Sequence, residues 1–191
     1  MIFTGDLNPH WFHYPTLLMY LDAVVLRGLD QVIDLPLELG LAFGVRGVRP
    51  DAFVLYEITR FITVLFSLGT LFLLLRLTTR FTNPFIASLA GLLFLGSSIT
   101  QGSAASVTVD MPTTFFVLAS LLMMVKFVDA EQNGNSGERY FWFAVALGGV
   151  AAGLKYNGAA ILFLAPVALW LARVPRTKSI RLLVLGAFVS I

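Results

Sequence analysis

A chain of 191 residues of which 58% are hydrophobic and only 13% charged exceeds the roughly 45–50% apolar content of a soluble domain, and its mean hydropathy is +0.85. That balance excludes a soluble domain and predicts an integral membrane protein. A net charge of +2 and zero cysteines exclude a strongly basic nucleic-acid face, a disulfide framework, a thiolate nucleophile and a Cys-type zinc or iron–sulfur site.

The chain opens on MIFTGDLNPHWFHYP, which has neither the basic region nor the apolar run of a cleaved signal peptide. His10 and His13, with Trp11, Phe12 and Tyr14 around them, fit an aromatic belt at a membrane interface. Their i, i+3 spacing also suits a metal, although no third ligand stands nearby, so a divalent cation stays open. Residues 16–39 are apolar but carry Asp22, Arg27, Asp30, Asp34 and Glu38 within one half of a helical wheel. Leu17, Leu18, Leu21, Val24, Val25 and Leu29 lie mainly away from those charges. This segment is expected to rest in the outer interface as an amphipathic helix, the alternative being a span whose charges face a bundle.

Spanning segments need about 20 mostly apolar residues. Residues 53–77, 84–98 with the weakly polar 99–102, and 111–128 meet that requirement. The apolar stretch 140–172 would be about 50 Å long as a straight helix, against a hydrocarbon core of about 30 Å. It must tilt or break, and Gly148, Gly149, Gly153 and Gly158, with Lys155, Tyr156 and Asn157 before the last, mark the break. Two helices, 140–154 and 158–172, are therefore expected on either side of a polar elbow. The apolar run from Leu182 stops at Ile191, too short to span, which predicts that the natural chain continues. The expected architecture is all-α: a single, partial polytopic transmembrane bundle with an outer loop over 1–52 and membrane helices over 53–191.

Basic residues orient the bundle. Arg76 and Arg80, then Lys126 and Arg139, then Arg173, Arg176, Lys178 and Arg181 fall on one side, which the positive-inside rule makes cytoplasmic, while Arg46 and Arg49 run against the pattern. Asp6, His10, His13, Asp110 and Lys155 then fall on the other side. Asp110, just ahead of Met111 and Pro112, suits a helix N-cap, and equally an acid, base or metal ligand at a bundle interior. Lys155 lies deep in an apolar stretch, where a lysine costs on the order of 2.5–3.5 kcal/mol. It either snorkels to the headgroups or meets a phosphate together with Asn157, a candidate N-cap for a helix starting near Gly158. Glu57 and Arg60 can pair locally, and Arg60 can instead point to an anion in the bundle.

In order, GDLNPHWFHYPTLLMYL, Arg60, VTVDMPTTF and GGVAAGLKYNGAAIL resemble membrane glycosyltransferases of the GT-C type. The group is the protein-mannosyltransferase and aminoarabinose-transferase-like one that includes the RgtA/B/C/D-like domain. The resemblance implies a helical bundle with outer juxtamembrane helices in the cell membrane. It implies transfer of a sugar from a polyprenyl-phosphate donor to a lipid, glycan or protein acceptor on the non-cytoplasmic face, with no nucleic acid involved. Carried over by motif, Asp110 takes the family's second acidic position as an auxiliary catalytic group, and Lys155 stands near the donor phosphate, with Asn157 and Arg60. His13 with Pro15 matches the first-loop segment, and Tyr14 and Asp6 join His13 as outer-loop substrate contacts. Family members usually carry an acidic motif, often Asp-Glu, shortly upstream of the GDLNP-like segment. Here Gly5 lies four residues after Met1, so truncation at both ends, and inactivity of this chain alone, are expected. A transporter with broken helices, or a non-catalytic membrane subunit, are the rival expectations.

Overall fold

A computed structural model describes residues 50–189 and, ahead of them, positions 17, 20–22, 24–25 and 28. The continuous part comprises α1 (Pro50–Phe81), α2 (Pro84–Gly96), α3 (Ser98–Ala105), α4 (Asp110–Gln132), α5 (Glu138–Leu154), a 3-10 helix (Tyr156–Phe163), α6 (Leu164–Leu171) and α7 (Arg176–Val189). The described residues contain no strand, and the all-α membrane bundle expected from composition is the observed architecture. Tyr56–Phe81 and Asp110–Gln132 are each long and apolar enough to cross a membrane, and α2 with α3, bent by 61°, forms a third if they are one broken span.

Hydroxyls in α1 show how a helix carries polar groups through an apolar environment. Thr63, Ser67 and Thr70 are buried, and each donates to the carbonyl four residues earlier, at 3.3, 3.0 and 2.8 Å, so none is left unsatisfied. Small side chains also let α4 approach closely. A Cβ on Gly69 would strike the Phe115 ring, and Phe66 meets Phe115 edge-on at 5.4 Å.

Helix α2 begins where Asn83 caps it, Oδ1 accepting from the Ile86 N–H at 2.9 Å, with Pro84 in the first turn, where a missing N–H is harmless. The segment 84–102, expected as one helix, bends at Ser97. Ser97 takes an extended conformation after Gly96, and the Gln101 amide donates to the Leu95 carbonyl at 2.9 Å. A side chain thus replaces a hydrogen bond that the break removes.

The main core lies among α4, α5, the 3-10 helix, α6 and α7, around Met124, Phe127, Phe141, Val145 and Leu182. The α4–α5 hairpin turns through Gly134, whose φ of 76° is open to glycine at little strain, and Ser120 Oγ ties its arms by donating to the Ala144 carbonyl at 2.7 Å. At the turn end, carboxylates of this hairpin hold the flanking helices. Asp129 pairs with Arg80 at 2.8 Å, Glu131 and Glu138 share Lys178 at 3.0 and 3.4 Å, and Arg181 reaches Glu138 at 3.5 Å. Burial works against the Lys178 charge, but the two carboxylates outweigh it and lift its pKa above the ordinary lysine value.

The break expected in residues 140–172 occurs at Lys155. Gly158 packs so closely beneath α5 that a Cβ there would collide with the Ala151 carbonyl oxygen, an atom already accepting from the Lys155 N–H at 3.0 Å. Gly158→Ala should therefore destabilise the protein by about 1–3 kcal/mol through overpacking, seen as a lower midpoint in detergent thermal unfolding. Gly102→Ala, with nothing within 4 Å of the added carbon and a helical position that favours alanine, should not lower that midpoint.

Of the amphipathic segment expected over 16–39, the described positions are helical, and the Leu17 side chain lies beside Gly153 of α5. The remainder of that segment is outside the described residues. Asp22 is only partly exposed: its Oδ1 is buried without a hydrogen-bond partner, and burial pushes its pKa from 3.8 to about 6. Because the folded form holds the proton more tightly, its full stability is present below pH ~4 and declines as pH rises through about 6. Asp22→Asn should raise the unfolding midpoint at pH 7.5 and leave it nearly unchanged at pH 4, which unfolding scans at the two pH values would check.

Candidate functional site

At the end of the hairpin opposite its turn, α5 stops because Lys155 leaves the helix at φ −153°, ψ 131°. The Lys155 carbonyl accepts from the Gly158 N–H at 2.7 Å, which starts the 3-10 helix at once. A single extended residue thus makes the elbow and presents an ammonium group where two helices meet.

Lys155 Nζ donates to Asp110 Oδ1 at 2.6 Å. The two residues are 45 apart in sequence, and their side chains keep 33% and 45% of their exposure, so the pair is open to a ligand while shielded on its bundle side. Both charges also suit the helix ends that carry them, the anion in the first turn of α4 and the cation after the last turn of α5. Charge-assisted bonds of this length are the stronger class, and they answer how a lysine is tolerated in so apolar a stretch.

Two local expectations are corrected. Asp110 is not an N-cap: α4 begins at Asp110 itself, Val109 holds the cap position in a helical conformation, and no side chain caps the end. The Asp110 carboxylate is instead given to Lys155. Asn157 is likewise not a cap, since the 3-10 helix begins at Tyr156 with Lys155 in the cap position and no side-chain cap bond. Asn157 sits exposed one residue into that helix. Both misplacements have one cause: the chain turns a residue or two earlier than the capping pattern implied.

Arg60 pairs with Glu57 at 3.4 Å within α1, the local option of the two the sequence left open. Among the described residues, no hydrogen bond or ion pair joins it to Asp110 or Lys155. Asp6, His10, His13 and Tyr14 lie outside the described residues. Among the described residues, no group of three or more His, Cys, Asp or Glu side chains gathers in a metal-holding arrangement.

The pairing of Asp110 with Lys155 was not anticipated. Its signal was present: two apolar helices joined by a short turn lie antiparallel, and their far ends meet. Residues 111–128 and 140–154 are such a pair.

The family model described as dolichyl-phosphate-mannose-protein mannosyltransferase matches residues 56–191. No curated protein and no solved structure gives a significant match. The matched region contains α1 from Tyr56 onward, the α4–α5 hairpin and the Lys155 elbow. The chain belongs to the dolichyl-phosphate-mannose-protein mannosyltransferase family and so to the membrane glycosyltransferases of the GT-C type.

Proposed function

We propose that this protein takes part in transfer of a sugar from a polyprenyl-phosphate donor to an acceptor on the non-cytoplasmic face of a membrane it crosses several times, with the Lys155 elbow as the donor-phosphate site. The observation that carries this is the Lys155–Asp110 ion pair, 2.6 Å long and partly exposed, at the end of the α4–α5 hairpin away from the basic loops. Family membership supplies the reaction class.

In the proposed step, an acceptor hydroxyl oxygen attacks the anomeric carbon. The bond from that carbon to the phosphate oxygen breaks, and polyprenyl phosphate leaves with the bonding electrons. A carboxylate at the outer face takes the hydroxyl proton. Lys155 stabilises the charge that grows on the leaving phosphate, with the Asn157 amide as a further donor and Arg60 as another once it leaves Glu57. Asp110 acts through Lys155: it holds the ammonium at the elbow until the phosphate, whose negative charge grows as the bond to the sugar breaks, competes for it. His13, Tyr14 and Asp6 are assigned to the outer-loop side of the substrate by the resemblance of their segment.

Hydrogen bonds to charged groups contribute about 1.5–3 kcal/mol, so Lys155→Ala should weaken polyprenyl-phosphate binding at least about tenfold in lipid nanodiscs and depress sugar transfer in native membranes. Exchanging the two residues, Asp110→Lys with Lys155→Asp, keeps an ion pair at the elbow but moves the cation onto α4. That double variant should fold with a near-normal unfolding midpoint and still fail to bind donor. Normal donor binding and transfer by a folded Lys155→Ala protein would remove the assignment.

A further inference from the structure

The three loops at the basic end carry eight basic residues, Arg76, Arg80, Lys126, Arg139, Arg173, Arg176, Lys178 and Arg181, against three acidic ones, Asp129, Glu131 and Glu138. All three carboxylates are engaged, by Arg80, Lys178 and Arg181. Arg139 has no carboxylate partner among the described residues. Its guanidinium lies 4.6 Å from the centre of the Tyr140 ring and donates to the Tyr140 hydroxyl at 2.8 Å.

Below this cation runs a shallow groove lined by Arg139, Trp142, Phe143 and Ala146. These are positions i, i+3, i+4 and i+7 of α5, one continuous stripe of the helix. Ala146 leaves the stripe narrow at its deeper end, and Phe143 is 61% exposed. The neighbouring stripe of α5 is already covered, because Gly186 of α7 sits against Phe141 and Val145. The groove is thus lined at the interface end by the stem of Arg139, whose guanidinium lies beside Tyr140, and is aromatic, then apolar, toward the bilayer interior.

We propose that this groove is a binding site for one anionic phospholipid of the leaflet at the basic end. The lipid phosphate meets the Arg139 guanidinium, whose planar fork suits two phosphate oxygens, and an acyl chain lies along Trp142 and Phe143 and over Ala146. Charge complementarity selects the occupant: a guanidinium with no carboxylate partner among the described residues, among loops with five excess basic residues, attracts anionic lipid. A zwitterionic lipid offers the same chain and less net charge. The site stands at the opposite end of α5 from Lys155 and does not depend on the donor-phosphate assignment.

Tryptophan quenching by brominated lipid tests this directly. In a Trp11→Phe, Trp170→Phe background Trp142 is the sole tryptophan of the three, and the protein is reconstituted with either brominated phosphatidylglycerol or brominated phosphatidylcholine. The anionic lipid should half-quench Trp142 at about a fifth of the mole fraction that the zwitterionic lipid needs, the advantage of one basic residue at an anionic surface. Arg139→Gln should abolish that preference while quenching persists, and Arg139→Lys should retain part of it. Equal quenching by both lipids in the Arg139 protein would leave only unselective boundary lipid and overturn the proposal. So would protection of Trp142 from both, which would mean that another helix or a second copy covers the groove, or an unchanged preference in Arg139→Gln.

Discussion

Backbone N–H and C=O groups that enter hydrocarbon must find partners within the protein, because no water is there to serve them. This constraint decides where the bundle can be broken and hence where its polar chemistry can lie. At Ser97 the break is repaired by the Gln101 amide on the Leu95 carbonyl. At Lys155 it is repaired by two backbone bonds on either side of one extended residue, to Ala151 and from Gly158. The 3-10 helix that follows has a further effect on reach. Tyr156–Phe163 rises about 2.0 Å per residue and Leu164–Leu171 about 1.5 Å, so the 16 residues from the elbow to Leu171 extend about 28 Å. That nearly matches a hydrocarbon core of about 30 Å, which lets a helix broken so early still return toward the other end.

Once the breaks are fixed, charge sorts to the two ends with different consequences. The carboxylates at the turn end of the α4–α5 hairpin are saturated: Glu131 accepts from the Gly137 N–H at 2.8 Å as well as from Lys178, and its side chain is only 14% exposed. A carboxylate so enclosed and doubly bonded fixes α7 against the hairpin and has little left to offer a ligand. The elbow end holds fewer charges and covers them less. The carboxylates of the hairpin are therefore committed to structure at the turn end and more open at the elbow.

The sequence made the membrane class and the break in residues 140–172 legible, because apolar length and its interruption by Lys155-Tyr156-Asn157 are one-dimensional signals. It also placed Asp110 and Lys155 on one side, through the alternation of basic loops. Three features escaped. The 61° bend in 84–105 was masked because Gly96 and Ser97 are compatible with a helix, and only the distant Gln101 makes departure cheap. The caps were misplaced because capping motifs locate a helix start to within a residue or two, whereas Asp110 and Asn157 are assigned or excluded as caps by a single residue. Asp22 sits on the polar half of a wheel that treats a helix as isolated, so packing that buries one of its carboxylate oxygens was invisible.

The length of the Lys155–Asp110 bond bears on whether the elbow can do chemistry at all. A fully buried pair would be held by a low local dielectric, and removing either partner would strand a charge. At 33% and 45% exposure the pair is not enclosed by protein, and where such a pair meets water it is worth about 1 kcal/mol or less. The donor phosphodiester carries one negative charge, as a carboxylate does, and the leaving polyprenyl phosphate gains a second charge and a third terminal oxygen, so in the proposed role exchange of Asp110 for phosphate grows more favourable as the bond to the sugar breaks. The exchange would also release a carboxylate where the phosphate arrives. In the proposed role, Asp110 holds Lys155 firmly enough to place it and weakly enough to give it up.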